Sequence, residues 1–367
     1  MNKIRVIFLI VILSFFLTGC WDSTETEKLG VVTLMGIGLD SDNNIEVMIQ
    51  ETGEKNNCNY EVFKESAPSV SQAVEKIALN QHHRIYFGHT KVVILSEELA
   101  TTKGLVPVID FFQREGEIRP TSRILISKSD QLNKILSTNL GLNSDTGTIL
   151  EETIKNKKNS PNIIATNIKD FIELLSTPGR EIYTSGIALK NRDIDQGNKN
   201  EIFDFGDIAV FKDEKMIDWL KGDEARGFLW IKGNAKGSLI TVSFENGNIS
   251  SKIIHVKSKI KPLINNDKMN MDIAVKVSCN MEESQCVTDF MDESVINKIE
   301  EAQNQKIKNE INAALNKAKQ LKTDIFGLGY YLYADYPGYT NDDYKVNVTV
   351  DSTIRNIRIY YKPVIKQ

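Results

Sequence analysis

The first 22 residues constrain this chain more than any later segment. Lys3 and Arg5 precede a run from Val6 to Phe16 that is apolar except for Ser14, and small residues follow it before Cys20. A basic tip, a short apolar run and small residues before a cleavage point are typical of a secretory signal peptide. The run of about 12 residues would span roughly 18 Å as a helix, whereas a bilayer core is roughly 30 Å thick. The sequence therefore predicts that the rest of the chain folds outside the cytoplasm.

The end of this segment, Leu17 to Cys20, resembles the lipobox of bacterial lipoproteins. There the chain is cut before the cysteine, whose sulfur carries a diacylglycerol through a thioether that only a thiol can form. Two acyl chains anchor a protein stably where one is marginal. We expect a leader at 1–19, S-diacylglycerol and N-acyl groups such as palmitate on Cys20, and a position on the outer face of the cell membrane. The alternative is an ordinary signal peptide with a chance cysteine.

The charge of the mature chain argues against some partners. Loss of Lys3 and Arg5 with the leader leaves 43 basic and 49 acidic side chains, a net charge of −6. This balance disfavours a nucleic-acid partner and a general attraction to anionic lipid. No later stretch reaches 18 consecutive apolar residues, so we expect the remainder to be soluble.

Hydrophobic periodicity divides the mature chain into two regions. Residues 20–190 mix strand and helix patterns and predict an N-terminal α/β region of one or two domains, and the polar stretch at 191–205 predicts a linker. Residues 206–367 alternate over short strands, with a hairpin signal at Asn246-Gly247, and contain one long helix pattern at about 292–322. We predict an α+β fold with mixed and antiparallel sheets packed with helices, and a C-terminal domain in which a meander packs on the long helix.

Three cysteines follow Cys20. Cys279 and Cys286 lie close together at the end of a strand pattern, in a compartment that permits disulfides. We predict either that they pair, which would close a short loop and stabilise the fold by about 2–3 kcal/mol, or that they are two free thiols in a mobile loop. Cys58 is left over, and no role is assigned to it.

No catalytic motif is recognisable in the sequence. It lacks Walker A, G-x-G-x-x-G, H-E-x-x-H, C-x-x-C and G-x-S-x-G patterns. A metal shared by His82, His83 or His89 is one interpretation, but structural roles for these side chains are favoured. Asp223 and Glu224 are expected in a turn, with a surface ion pair to the neighbouring arginine. We therefore predict no enzyme activity, no catalytic residues, no metal and no cofactor.

Two groups of aromatic residues are candidates for a partner surface. Phe228 and Trp230 form one group, and the tyrosines after the long helix, among them Tyr331 and Tyr333, form the other. Tyrosine suits protein interfaces. The alternative for the tyrosines is that they cover the core where the long helix rejoins the sheet.

Six segments of the mature chain match the order of motifs in one protein family. They are Cys20-Trp-Asp22 with Leu29 and the Gly36-Ile-Gly38 strand, Arg84 to Glu98, Glu117-Ile-Arg119, Ile208 to Lys212, Trp219 to Gly222 with Glu224 to Trp230, and Lys322 to Gly329. In order and spacing they resemble the Ger(x)C lipoproteins, the C subunits of spore nutrient-germinant receptors. The resemblance covers nearly all of the mature chain, with a looser fit at 335–340 and after Asp351.

This resemblance implies a non-enzymatic, lipid-anchored subunit of three packed α/β domains. It implies a place on the inner membrane of the dormant endospore, beside two integral-membrane subunits, A and B, in a receptor that senses small nutrients and triggers germination. Whether the nutrient touches this subunit is left open, and Cys20 is the one functional residue carried over. The alternatives are a solute-binding lipoprotein of an importer, against which the antiparallel pattern from Ile208 to Val277 argues, and a membrane-anchored hydrolase, which the missing motifs disfavour.

Overall fold

The computed structural model describes residues 29–52, 60–138, 144–156, 161–194, 198–265, 268–286, 288–336 and 344–357. The predicted leader and Cys20 lie outside these residues, as does Cys58. Within these ranges no helix combines the length and the apolar character needed to cross a bilayer.

The described residues form strands and helices that alternate along the chain. The strands are β1 (Leu29–Leu39), β2 (Ile45–Thr52), β3 (Tyr60–Ala67), β4 (Arg84–Tyr86), β5 (Val92–Ser96), β6 (Arg123–Ser127), β7 (Thr166–Asn167), β8 (Tyr183–Ile194), β9 (Asn198–Asp204), β10 (Ile208–Lys212), β11 (Lys215–Leu220), β12 (Leu239–Phe244), β13 (Gly247–Asn265), β14 (Lys268–Ser284) and β15 (Tyr344–Ile357). The helices are α1 (Val70–Leu79), α2 (Glu97–Thr102), α3 (Val106–Arg114), α4 (Leu132–Ser137), α5 (Thr146–Lys155), α6 (Ile168–Ser176), α7 (Asp223–Ile231), α8 (Glu293–Leu321) and α9 (Leu328–Asp335).

The larger sheet has eleven strands with the main order β11-β10-β8-β6-β5-β1-β2-β3. Its centre is parallel, from β1 through β5 and β6 to β8, while β2 and β3 add antiparallel strands at one side. The run from Val92 to Ser96 is buried throughout, because helices cover both faces of a largely parallel centre. Apolar residues of α1, α2, α3 and α6 pack on one face, and those of α4 and α5 pack on the other.

The larger sheet continues past the segment predicted as a linker. Most of residues 191–205 lies in β8 and β9, which pair antiparallel. Strand β10 then pairs with β8, with Ile208 opposite Ser185, and β11 pairs with β10. Phe211 and Trp219 consequently belong to the same core cluster as α1 and α3. The first two strands after the predicted linker therefore complete the sheet of the N-terminal region.

The smaller sheet has the order β12-β13-β14-β15. Strands β12 to β14 form an antiparallel meander, and β15 adds parallel to β14 after the long helix α8. Asp292 caps the start of α8 by accepting from the Ser294 amide at 2.8 Å, and Lys322 ends it in the left-handed conformation. The predicted α+β class, with mixed and antiparallel sheets packed with helices, is confirmed.

Candidate functional site

Helices α7 and α8 cross at Gly227. A Cβ at position 227 would lie 1.9 Å from the Glu310 carbonyl oxygen, so only glycine allows this approach. Beside it, Phe228 and Trp230 are 0% and 1% exposed. The prediction that these two residues form a partner surface is therefore corrected: α7 packs them against α8 and the smaller sheet, and both are core residues.

A buried carboxylate joins the same two helices. Glu310 accepts from Arg226 Nε at 3.0 Å and from Trp230 Nε1 at 2.6 Å. The turn and the surface ion pair predicted around Asp223 are wrong, because Asp223 begins α7 and Arg226 pairs with a carboxylate that is 2% exposed. This arrangement fastens α7 to α8. A polar residue on the apolar face of the long helix pattern was the signal that could have revealed it.

Two of the three histidines contact neighbouring side chains. His83 Nε2 is 2.7 Å from Glu51 Oε2, and burial raises the pKa of the Glu51 carboxyl despite this contact. The His89 ring packs edge-on against Tyr86 with ring centroids 5.8 Å apart. Within the described ranges, no group of three or more His, Cys, Asp and Glu side chains is placed to hold a metal ion.

Cys279 and Cys286 are free thiols in different surroundings. Cys279 points into the core, where its Sγ donates to Gln303 Oε1 at 3.3 Å. Burial raises the pKa of the Cys279 thiol to about 11. Cys286 lies past the end of β14, with Sγ 2.9 Å from the Phe244 carbonyl oxygen. The predicted disulfide is therefore corrected, because the two side chains face different parts of the C-terminal region.

The tyrosine segment after α8 contacts the N-terminal region. The Tyr330 amide donates to the Gly179 carbonyl at 3.1 Å, and the Arg180 guanidinium lies 3.8 Å from the centre of the Tyr330 ring. Tyr331 is half-buried and packs against the C-terminal core. Tyr333 lies within α9, but its side chain is outside the described residues. The segment thus joins the two regions and partly covers the core.

A lysine and an aspartate lie inside this junction. Lys232 Nζ is 4.6 Å from the Tyr183 ring centre, and burial lowers the pKa of its amine to about 8. Asp324 accepts from the backbone amides of Leu328 and Gly329 at 2.8 and 2.6 Å. Burial nevertheless raises the pKa of the Asp324 carboxyl. Both groups therefore place ionisable side chains where the two regions meet.

The described residues line at least two open cavities. One, of about 340 Å³, lies beside the junction and is lined by Arg123, Asp170, Glu173, Arg180 and Asn234 among others. The other, of about 410 Å³, has an acidic lining that includes Glu97. The described linings contain no cysteine or histidine, so neither cavity presents a thiol or imidazole for nucleophilic chemistry.

Comparisons with known proteins find similarity to spore germination proteins in both regions of the chain. Residues 22–189 match the family described as "Spore germination protein N-terminal domain", and residues 206–358 match "Spore germination B3/ GerAC like, C-terminal". The chain is 23% identical to "Spore germination protein KC" of Bacillus subtilis (strain 168) over 92% of this chain and 88% of that protein. It is 22% identical to "Spore germination protein B3" of the same organism over 93% and 91%.

The fold is also similar to a solved structure, "Crystal Structure of the GerBC protein". The TM-score is 0.55 at 17% identity, and the alignment covers 87% of this chain and 97% of that one. At this level of identity the similarity concerns the fold alone. The two regions described above therefore occur together in a known protein.

Proposed function

We propose, from the premise that this chain belongs to the GerAC-like family of spore germination proteins, that it is the lipid-anchored C subunit of a nutrient germinant receptor. The observation that carries the proposal is the pair of family matches, at 22–189 and 206–358, which together leave little of the mature chain unmatched. The first match begins two residues after Cys20.

The proposed anchor is a diacylglycerol on the Cys20 sulfur with an acyl group on the new amino terminus. The Leu-Thr-Gly-Cys20 sequence supports it, because small residues before a cysteine are what lipoprotein processing requires. The anchor would hold the subunit on the outer face of the inner spore membrane. Two or more acyl chains make such attachment stable without a membrane-spanning helix.

The proposed role is assembly rather than catalysis. The subunit would interact with the integral-membrane A and B subunits and be required for the response to nutrients. The junction of Arg180, Tyr330 and Gly179 supports this role, because it ties the two regions together and lets them present one surface to partners. Contact with the nutrient itself is not needed for such a role.

Capture of the chain from spore membranes tests this proposal. A C-terminally tagged chain is purified from detergent-solubilised inner membranes, and its partners are identified by mass spectrometry, with an unrelated tagged lipoprotein of the same membrane as the control. We expect two integral-membrane receptor subunits to co-purify with this chain and not with the control. Capture of an importer's permease instead would favour the solute-binding alternative.

A further inference from the structure

The outer side of the smaller sheet carries a concentrated set of lysines, here named the basic face. Its lysines come from three adjacent strands, with Lys252, Lys257, Lys259 and Lys261 on β13, Lys276 on β14 and Lys345 on β15. All are exposed except Lys252, which is half-buried. Three carboxylates, Asp272, Glu283 and Asp351, share the face. This local excess of positive charge contrasts with the negative charge of the whole chain.

The alternation of the strands explains why the lysines share one side. Successive residues of a strand point to opposite faces, so Lys257, Lys259 and Lys261 all point away from the core. Their inward neighbours on β14, Ile273 and Val275, are at most 1% exposed and belong to the core cluster that includes α8. The helices α7, α8 and α9 therefore pack on the inner face, and the outer face carries the charges.

Among the described residues only one of these lysines makes an ion pair, although Lys261 lies directly opposite Asp272 across β13 and β14. Lys276 lies 3.7 Å from Asp351, and Asp272 accepts from Asn347 at 2.9 Å. The remaining lysines of the face make no ion pair within the part of the chain that the structure describes. Lys257 lies directly opposite Lys276, and like charges at opposed strand positions repel each other. An anionic surface laid against the face would relieve that repulsion.

Exposed apolar side chains border the lysines. Leu239, at the start of β12, is 52% exposed, and Ile254 and Leu263 on β13 are each 40% exposed. Leu239 pairs with Lys252 across the two strands. Lysines beside exposed apolar residues are typical of protein surfaces that lie on anionic bilayers, where the ammonium groups meet headgroups and the apolar groups enter the interface.

We propose that the basic face docks on the anionic phospholipid headgroups of the membrane to which Cys20 is attached, an inference that rests on the proposed lipid anchor. Leu29 begins β1 nine residues after Cys20, and a chain of that length spans at most roughly 30 Å. The anchor would therefore keep the folded part close to the bilayer and raise the effective concentration of headgroups at the face. The basic face would determine which side of the protein is oriented towards the membrane, because the rest of the chain is net negative.

An acidic protein segment is the competing occupant. Such a segment would need a groove or a compact cluster of lysines, whereas these lysines spread over three strands of one sheet face with apolar side chains at its border. A spread of charge over a sheet face suits a planar array of headgroups better. The experiment below separates the two occupants.

Lysine acetylation of the full lipid-bearing chain in vesicles tests the docking. The protein is reconstituted into vesicles of equal parts phosphatidylglycerol and phosphatidylcholine, or of phosphatidylcholine alone, and labelled with a water-soluble reagent. Mass spectrometry compares Lys257, Lys259 and Lys261 with the exposed lysines of α8 that lie on the other side of the sheet. In the anionic vesicles only, we expect acetylation of the basic-face lysines to fall at least about fivefold relative to the α8 lysines. A fivefold change is the size expected from the attraction of a single lysine to an anionic membrane surface. About 0.5 M NaCl should remove the protection.

Charge-reversal variants supply a matched control. Lys257→Glu, Lys259→Glu and Lys261→Glu together should abolish the protection of the remaining Lys252, Lys276 and Lys345. The matched triple variant makes the same change in net charge on the exposed lysines of α8, at Lys298, Lys308 and Lys319. It should leave the protection of the basic face unchanged, measured in this variant against Lys76 and Lys155, two exposed lysines of the N-terminal region. Circular dichroism of both variants verifies that they fold.

The outcomes separate the inference from its premise. Protein that stays on the vesicles with an unprotected basic face, or with equal protection in neutral vesicles, would overturn the docking proposal alone. The same labelling is also carried out in native spore membranes. Protection that is found there but is absent from phosphatidylglycerol vesicles would also overturn the docking proposal, in favour of an acidic protein partner. Protein that does not stay on either type of vesicle would contradict the lipid anchor itself.

Discussion

At the scale of single residues, two groups of polar side chains inside the C-terminal core are held by hydrogen bonds to one another. Gln303 of α8 accepts from the Cys279 thiol and donates to Ser251 Oγ at 2.9 Å, so that three buried polar groups share hydrogen bonds. Glu310, about two turns further along the same helix, holds Arg226 and Trp230 in a similar way. Buried polar groups arranged in this manner avoid the free-energy cost of an unpaired donor or acceptor.

The two cysteines of the C-terminal region should differ in reactivity. Alkylation of the native protein with iodoacetamide should modify Cys286, which is partly exposed, and leave Cys279 unmodified, because its thiol is buried and its pKa is raised to about 11. In denaturant both should react. The measurement is mass spectrometry of a non-reduced digest, and a peptide that carries a Cys279–Cys286 disulfide would contradict the structure.

Lys232 should make stability depend on pH in a defined window. Its amine has a pKa of about 8 in the fold against 10.5 in the unfolded chain, because burial disfavours the charged form. Between these values the unfolded chain binds the proton and the folded chain does not, so the free energy of unfolding rises with pH. Below about pH 8 both states are protonated and this dependence ends. The contribution is at most roughly 3 kcal/mol across the window.

A pair of variants isolates this contribution. The free energy of unfolding of the wild type minus that of Lys232→Met should increase as the pH rises from about 8 to about 10.5, as measured by urea unfolding. Exposed Lys236→Met controls for the loss of one positive charge near the same turn. A wild-type minus Lys232→Met difference that stays flat across this window would show that the Lys232 amine is not held in a buried environment.

At the scale of elements, the crossing of α7 and α8 depends on the missing side chain of Gly227. Gly227→Ala should lower the free energy of unfolding by about 1–3 kcal/mol, because the new Cβ would overlap the Glu310 carbonyl and force the helices apart. Gly116→Ala is the matched control, since a Cβ there meets nothing within 4 Å. Urea unfolding compares the two variants, and equal losses would show that the crossing is looser than described.

Local patterns predicted most elements but not how distant ones meet. The helix pattern at about 292–322 matches α8, because its apolar spacing is set within the helix itself. The hairpin expected at Asn246-Gly247 exists with its turn one residue earlier: Glu245 takes the left-handed conformation and Gly247 begins β13. A Cβ at Gly247 would meet Cys286 and Gln285 at about 3 Å, a contact from a distant segment that no local pattern contains.

The surroundings of the candidate partner residues and of the basic face were harder to predict, because they depend on segments that are distant in the sequence. Phe228 and Trp230 occupy an apolar segment that fits a surface or a core equally well, and only the approach of α8 at Gly227 decides between them. The lysines of the basic face alternate visibly in the sequence, but the negative net charge of the whole chain gives no sign of a local positive surface. Their shared side follows from the pairing of β13 with β14 and of β14 with β15.

At the scale of the whole molecule, the N-terminal and C-terminal regions are joined by shared core packing and by backbone contacts. The strands β10 and β11 follow the predicted linker but place Phe211 and Trp219 in the core of the larger sheet, and Tyr330 ties the end of the C-terminal region back to Gly179. The family matches at 22–189 and 206–358 leave the polar segment between them unmatched. The domain boundaries at 190 and 206 stay a prediction, because the contacts of Phe211, Trp219 and Tyr330 with the N-terminal region cross them.

The proposed receptor role and membrane attachment depend on the lipid anchor at Cys20, and a Cys20→Ala replacement tests this anchor most directly. Spores that carry this variant are fractionated to locate the protein, and their response to nutrients is followed, with Cys58→Ala as the matched cysteine control. We predict that Cys20→Ala leaves the membrane fraction and delays or abolishes germination, while Cys58→Ala does neither. A Cys20→Ala protein that stays on the membrane and supports a normal response would contradict the proposal that the Cys20 anchor is essential.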